Sequence, residues 1–222
     1  MIPALATRGL GWGSGLIDPA GHCFVVNIPK NASSYLHDWA KHHGWRTTIA
    51  QNETTVQEMI VILRDPVERW ISGISQYIMT YILNVYGFNG PIFPGELVTE
   101  HDRSVSAEEF LANYNLAVER LLFDVVSRFD DHVWPQNEII HNVLPTVPRR
   151  YFSINQINQE LAEYLGWQPA NDLDKNSGRD HDSIRLLQDF FHNRIHSQRP
   201  ELLGRIQKHY HADYLLLNNL QQ

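Results

Sequence analysis

The chain has 222 residues, of which 43% are hydrophobic and 19% charged, and its formal net charge is −7 at pH 7. This composition fits one globular domain with a sizeable core, and the negative charge argues against a general nucleic-acid-binding surface. A single cysteine, Cys23, excludes an internal disulfide and fits a reducing compartment.

Membrane and secretion signals are also missing from the sequence pattern. No apolar run approaches the ~18–20 residues that span a bilayer. Residues 1–16 lack the charged head and long apolar stretch of a signal peptide. We therefore expect a cytoplasmic protein without a membrane partner, although a chain trimmed from a longer protein would give the same pattern.

Short apolar runs alternate with amphipathic segments along the chain. Residues 1–20 are rich in Gly, Ala and Pro, and we expect an irregular lead-in there, followed by a single domain at 21–222. Continuous apolar runs predict buried strands at 24–28, 59–63 and 151–154. Helices are predicted at 32–43, 66–86, 106–128, 155–165, 184–197 and 199–210. The alternation predicts an α/β fold, with a central, mostly parallel sheet flanked by helices.

Local signals mark several helix ends. Gly44 and Gly166 are typical of glycine stops, and Pro66 suits the first position of a helix. Ser106, with Glu109 three residues later, predicts a capping box.

Residues 27–36, NIPKNASSYL, join the first predicted strand to the first helix. The first N–H groups of a helix lack partners and lie at its positive end, so an anion is stabilised there. Lys30 adds a positive charge, and Ser33 and Ser34 add hydroxyl donors. There is no GxxxxGK pattern, so this is not a Walker loop. From these residues alone, an anion site and a simple helix cap beside a solvated lysine remain equally open.

A second corner, RDPVERWISG at 64–73, follows the next predicted strand. Arg64 lies at the carboxyl end of that strand, where open α/β sheets bind ligands, and its guanidinium can fork onto a phosphate. Ser72, two helical turns later, can donate to the same group. Alternatively, Arg64 pairs with a nearby carboxylate and Ser72 packs within the helix. Taken together, the two corners predict one ligand with two separated anionic groups.

The two corners resemble the nucleotide-binding motifs of sulfotransferases that use 3′-phosphoadenosine 5′-phosphosulfate (PAPS). VVNIPKNASSYL (25–36) resembles their 5′-phosphosulfate loop, and VILRDPVERWISGISQY (61–77) resembles their 3′-phosphate motif. A weaker similarity to the carbohydrate-sulfotransferase branch continues in SAEEFL, DDHVWPQ, RRYFSINQINQELAEYLG and HYHADYLLL, so the resemblance covers roughly residues 22–217. Asn31 departs from the family pattern, which more often has Thr or a small residue there.

The resemblance implies a P-loop-like fold and transfer of a sulfuryl group from PAPS to a hydroxyl of an acceptor, with a carbohydrate or glycan expected. The product would be adenosine 3′,5′-bisphosphate (PAP), and no metal would be required. Lys30 would be catalytic, because it can stabilise charge on the departing oxygen. The implied cofactor-binding residues are Lys30, Asn31, Ala32, Ser33, Ser34, Tyr35, Arg64 and Ser72, with Ser177 and Arg179 from a late polar loop.

The general base is the least determined role. His132 is the first choice, since Asp130 or Asp131 could orient it and histidine suits proton transfer near neutral pH. His37, His101 or an acidic residue are alternatives, and His132 could instead be a structural histidine bonded to an aspartate.

Two further interpretations remain open. His192 and His196 have the i, i+4 spacing of two metal ligands, but no third ligand is evident and their apolar neighbours favour a packed amphipathic helix. A P-loop-type small-molecule or nucleotide kinase, or a non-catalytic nucleotide-binding module, is the alternative function.

Overall fold

The structure is a computed structural model that describes residues 13–86, 105–130, 132–168 and 181–220. The chain divides into two compact units. The sheet unit comprises Met1–Pro66, Pro135–Ser177 and Tyr210–Gln222, and the helical unit comprises Val67–Trp134 and Gly178–His209. The single domain expected at 21–222 stays a prediction.

The sheet unit contains a five-stranded mixed sheet with the order β3-β1-β2-β4-β5. Its strands are β1 (Ser14–Ile17), β2 (Cys23–Val26), β3 (Arg46–Ile49), β4 (Glu58–Leu63) and β5 (Arg149–Ser153). β4 pairs in parallel with β2 and β5, whereas β1 pairs antiparallel with β2 and β3. The protein therefore has an α/β fold, but the expected mostly parallel sheet is not confirmed.

Two strands are missing from the sequence-based prediction. β1 lies within the stretch 1–20, so the expected irregular lead-in is wrong for Ser14–Ile17. A tight turn folds β1 back onto β2, because Asp18 Oδ1 accepts hydrogen bonds from the N–H groups of His22 (2.6 Å) and Cys23 (2.8 Å). β3 is an edge strand with mostly exposed side chains, so it lacks the apolar alternation that identifies a strand.

The three predicted strands are confirmed as β2, β4 and β5, with ends shifted by up to two residues. In β4, each residue from Met59 to Leu63 is at most 1% exposed. Both faces of this strand are therefore buried, as a continuous apolar run predicts.

Ten α-helices are present in the described part of the chain. They are α1 (Ser33–His42), α2 (Pro66–Tyr77), α3 (Ala107–Ala112), α4 (Leu116–Leu121), α5 (Ser127–Phe129), α6 (Gln136–His141), α7 (Ala162–Leu165), α8 (His181–Asn193), α9 (Pro200–His209) and α10 (His211–Leu220). Wider π-helical turns extend α2 through Tyr86, join α4 to α5, precede α7 and extend α8 through Gln198.

The predicted helices are confirmed in place, with one correction. Ser106 caps α3 by accepting from the Glu109 N–H at 3.1 Å, and Gly44 and Gly166 follow α1 and α7 with φ of 75° and 66°. The helix predicted over 106–128 is broken, because Asn115 caps a new helix with its side-chain oxygen. That cap ends the first helix at Ala112.

One apolar cluster joins α1 to the sheet. Trp39, Trp45 and Trp167 form its aromatic centre, with ring centroids of Trp39 and Trp167 4.8 Å apart. Ile60 and Ile62 of β4 pack into the same cluster. Burying one such side chain contributes about 1.5–3 kcal/mol, so the cluster fixes the start of α1 against the end of β2.

The helical unit is held by both apolar and ionic contacts. The Trp70 ring packs edge-on against Phe191, with centroids 5.7 Å apart. Glu119 is 1% exposed, and its carboxylate pairs with Arg194 (2.9 Å) and Arg199 (3.1 Å). No helix among the residues described reaches the length and apolar character needed to cross a membrane.

Candidate functional site

The loop between β2 and α1 has an unusual backbone. Lys30 and Ala32 have φ of 69° and 60°, and Asn31 between them keeps a negative φ. A left-handed conformation costs an L-residue about 1–2 kcal/mol. Such alternation turns successive N–H groups toward one side and makes an anion-binding concavity. Strain of this kind is found at functional sites.

The start of α1 lacks a side-chain cap. Ala32 occupies the N-cap position, and within the described segments no side chain accepts from the first turn there. Ser33 is half-buried and Ser34 is exposed. A bound anion could therefore supply the hydrogen-bond acceptor that a capping side chain otherwise provides.

Asn31 anchors the loop to the neighbouring strand. Its side chain is 2% exposed, and Nδ2 donates to the Ile62 carbonyl (2.6 Å) and to Gln136 Oε1 (2.5 Å). Both partners are acceptors, so the amide cannot be reversed. Asn31 therefore holds the loop to the end of β4.

Gln136 connects this loop with the second corner. The side chain is fully buried, its Oε1 accepts from the Arg64 N–H at 2.9 Å, and its Nε2 donates to the Arg64 carbonyl at 2.9 Å. One amide therefore pairs with the backbone of Arg64 as well as with the side chain of Asn31.

Asp213 in α10 holds Gln136 in place through hydrogen bonds. Its buried carboxylate accepts from the backbone N–H groups of Gln136 (2.8 Å) and Asn137 (2.8 Å), at the first turn of α6. Burial and the carboxylates of Asp65 and Asp213 raise the pKa of the adjacent Tyr214 to about 12. Sequence reasoning missed Gln136 and Asp213, because no local pattern pairs residues 77 positions apart.

Arg64 is brought directly to the first corner. It is half-buried, and its Nη1 donates to the Lys30 carbonyl at 2.9 Å. The guanidinium is therefore held beside the loop that contains Lys30. This places two cationic residues at the ends of the parallel neighbours β2 and β4.

The structure brings most predicted cofactor-binding residues together in the sheet unit: Lys30, Asn31, Ala32, Ser33, Ser34, Tyr35 and Arg64. The Tyr35 hydroxyl donates to Asn158 Oδ1. Ser72 is half-buried in α2 and belongs to the helical unit. Ser177 and Arg179 lie outside the described residues, so their roles stay predictions.

His132 is oriented by Asp130, as the sequence suggested. Its Nδ1 lies 2.9 Å from Asp130 Oδ1, and its N–H donates to the same oxygen at 2.9 Å. The carboxylate favours a proton on Nδ1 and a lone pair on Nε2. Helix α2 packs closely here, because a Cβ on Gly73 would lie 2.5 Å from the His132 carbonyl oxygen. Asp131, the other predicted partner, lies outside the described residues.

The remaining histidines have different surroundings. His37 Nε2 lies 2.6 Å from Thr47 Oγ1, which joins α1 to β3. His101 lies outside the described residues. His192 Nε2 is 3.5 Å from Glu68 Oε2, and the rings of His192 and His196 stack with centroids 5.9 Å apart. Across the described ranges, no three His, Cys, Asp or Glu side chains are grouped to hold a metal.

Cys23 lies at the end of β2 opposite the loop. Burial raises the pKa of its thiol to about 12, with further contributions from the carboxylates of Glu58 and Asp18. The thiol is therefore protonated at neutral pH, and it is unsuited to act as a nucleophile.

In comparisons with protein-family models, with curated proteins and with solved structures, the chain matches none.

Proposed function

We propose that this protein is a PAPS-dependent sulfotransferase that transfers a sulfuryl group to a hydroxyl of a carbohydrate or glycan acceptor. One observation carries the proposal. A strained loop at the end of β2 opens an uncapped helix, and the guanidinium of Arg64 donates to the carbonyl of Lys30 in that loop.

In this proposal the loop binds the 5′-phosphosulfate. The backbone N–H groups of 32–34 and the hydroxyl of Ser33 bind the anion, and Lys30 stabilises the charge that develops on the bridging oxygen. The N–H of Asn31 is not a donor to the anion, because it donates to the Ile28 carbonyl at 3.1 Å. Sulfuryl transfer needs in-line alignment and charge stabilisation more than covalent help. It requires no metal, because the transferred group carries less charge than a phosphoryl group.

The 3′-phosphate of the nucleotide is assigned to Arg64. Charge-assisted bonds from an arginine fork to a phosphate are among the stronger polar contacts in proteins. A ligand with two separated anionic groups therefore accounts for both corners, whereas a single phosphate accounts for one.

The finer features of the fold belong to the same proposal. The parallel portion β2-β4-β5, with helices after β2 and β4, supports a P-loop-like arrangement in which ligands bind at the carboxyl ends of the strands. A reducing compartment such as the cytoplasm suits the single cysteine.

Ligand binding by the wild-type chain tests this proposal. We expect PAP to raise the melting temperature in a thermal-shift assay, because a ligand that binds the folded state stabilises it by mass action. ATP with Mg²⁺ should give no such shift. Stabilisation by ATP with Mg²⁺ but not by PAP would contradict the proposal and favour the kinase alternative.

Turnover provides the second measurement. PAPS with a labelled sulfuryl group, incubated with the protein and a panel of mono- and oligosaccharides, should yield labelled sugar sulfate and PAP. PAP binding with no release of label to sugars or to water would indicate a non-catalytic nucleotide-binding module.

A further inference from the structure

A small pocket lies where the first turns of α1 face β1, β2 and β3. Its cavity volume is about 40 Å³, whereas one water molecule needs roughly 10–15 Å³. The pocket therefore accommodates a group such as a hydroxymethyl, but not a whole sugar ring. Its polar lining consists of Asn27, Asn31, Ser33, His37 and Thr47.

Two asparagines of the pocket lining have buried acceptors that lack donors. Oδ1 of Asn31 is buried and has no hydrogen-bond partner among the residues described. Two acceptors bind the Nδ2 of Asn31, so the orientation of the amide is fixed and Oδ1 is the atom without a donor. Oδ1 of Asn27 is also buried without a described partner, while Nδ2 of Asn27 lies 3.4 Å from Ser14 Oγ. A buried acceptor left unpaired costs about 1–3 kcal/mol, so a donor that reaches either oxygen would be stabilised.

The chemistry of the pocket differs from that of the adjacent loop. The loop offers N–H groups and the charge of Lys30, which suit an anion. The pocket is lined by hydroxyl, imidazole and carboxamide side chains without a cation among them, which suits a hydroxyl better than an anion. Asn31 and Ser33 belong to both, so a donor group in the pocket would lie next to an anion on the loop.

His37 is fixed at the wall of the pocket. The contact of its Nε2 with Thr47 Oγ1 at 2.6 Å holds the ring between α1 and β3. When Nε2–H donates to this oxygen, the lone pair is on Nδ1. That nitrogen has no hydrogen-bond partner within the described ranges, so its lone pair is available to accept a proton.

We propose that the pocket receives the acceptor hydroxyl and that His37 accepts its proton, an inference that rests on the proposed sulfotransferase function. The acceptor oxygen forms a bond to sulfur while the bond from sulfur to the bridging oxygen breaks. The bridging oxygen keeps the electron pair and leaves as part of PAP. The proton of the acceptor hydroxyl moves to Nδ1 of His37, the role that the sequence assigned first to His132.

The test uses PAPS with two simple acceptors, water and ethylene glycol, so that the natural acceptor need not be known. Chromatography measures sulfate, glycol sulfate and PAP. His37→Ala should lower kcat about 100-fold, as loss of a general base does. The Kd for PAP, measured by titration calorimetry, should not change.

Three variants serve as comparisons. His42→Ala removes an exposed histidine from the same helix, whose Nδ1 contacts the Asp38 carbonyl at 2.8 Å, and should leave kcat unchanged. Thr47→Val keeps the side-chain shape but removes the hydroxyl that orients His37, so kcat should fall about 10-fold. Thr47→Ser should restore it.

The outcomes separate this inference from the function on which it rests. A wild-type kcat in His37→Ala, or a weakened Kd for PAP in that variant, would overturn the role of His37 while leaving the sulfotransferase proposal intact. A 100-fold loss in His132→Ala with no loss in His37→Ala would have the same consequence. Failure of the wild-type protein to bind PAP or to consume PAPS would overturn both.

Discussion

The two strand-to-helix corners are built differently, although their sequences predict the same task. At the end of β2 the chain uses two left-handed non-glycine residues and leaves α1 without a side-chain cap. At the end of β4 it uses Pro66 as the first helical residue, with Arg64 two positions before it. The first corner thus presents backbone donors in a strained loop, and the second presents one side chain on a regular turn. Gln136 holds both.

The largest effect is expected from the charge in the first corner. Lys30→Ala should lower the rate of sulfuryl transfer about 100- to 1,000-fold, as loss of one donor to a developing oxyanion does. Lys41→Ala is the matched control, since Lys41 is exposed in the last turn of α1 and lies 3.9 Å from Asp38. Near-wild-type turnover by Lys30→Ala would show that the loop binds its anion through backbone groups alone.

Removing the shared anchor should damage both corners together. Gln136→Leu leaves the Arg64 N–H and carbonyl without their side-chain partner, and it removes one of the two acceptors of Asn31. We expect a loss of about 3 kcal/mol in the free energy of unfolding, measured in urea. Asn142→Leu, at the exposed other end of α6, should change it by less than about 1 kcal/mol. Equal losses of unfolding free energy in Gln136→Leu and Asn142→Leu would show that Gln136 does not connect the two corners.

The second corner should affect nucleotide binding more than turnover. Arg64→Ala should weaken binding of PAP by about 2 kcal/mol, or roughly 30-fold, because a hydrogen bond to a charged group is lost. Calorimetry measures this Kd. Arg64→Lys should recover part of the lost affinity. Arg46→Ala, in exposed β3 beside Glu53, should leave the affinity for PAP unchanged. Unchanged affinity in Arg64→Ala would remove the 3′-phosphate from this corner.

The smallest effect concerns the strain in the first corner. Ala32→Gly should stabilise the protein by about 0.5 kcal/mol, because glycine relieves the left-handed strain but has a more flexible unfolded state. Ala40→Gly, in the same helix at negative φ, should destabilise it by about 1 kcal/mol. Urea unfolding compares the two. A similar loss in both variants would mean that residue 32 is not strained in solution.

The sequence predicts those parts of the molecule whose signals are local. The apolar run at 59–63 and the glycine after α1 each determine their element within a few residues, and both are found as predicted. The sequence does not predict β1 and β3, because their stability comes from pairing within the sheet rather than from their own apolar pattern. The break at Asn115 has a different reason, because one local capping side chain overrides a helical pattern there.

Residues of the candidate site also differ in whether their signals are local in the sequence. Lys30, Ser33 and Arg64 could be proposed from the sequence, since each lies where a predicted strand is followed by a predicted helix. The anchoring role of Asn31 could not be predicted, because its partners are the carbonyl of Ile62 and an amide 105 residues away. The pocket beside His37 is likewise formed by elements that meet only in the folded chain.

The position of Asp213 has a consequence for the order in which the protein becomes complete during synthesis. A ribosome releases the chain from its N-terminus, so β2, the loop and α1 emerge long before α10. The backbone N–H of Gln136 donates to the carboxylate of Asp213, which is synthesised 77 residues later. The loop that contains Lys30 therefore acquires its final anchoring only when α10 has left the ribosome and packed against α6. A nascent chain that has not reached this point would have the binding sequence without the fixed geometry that binding needs.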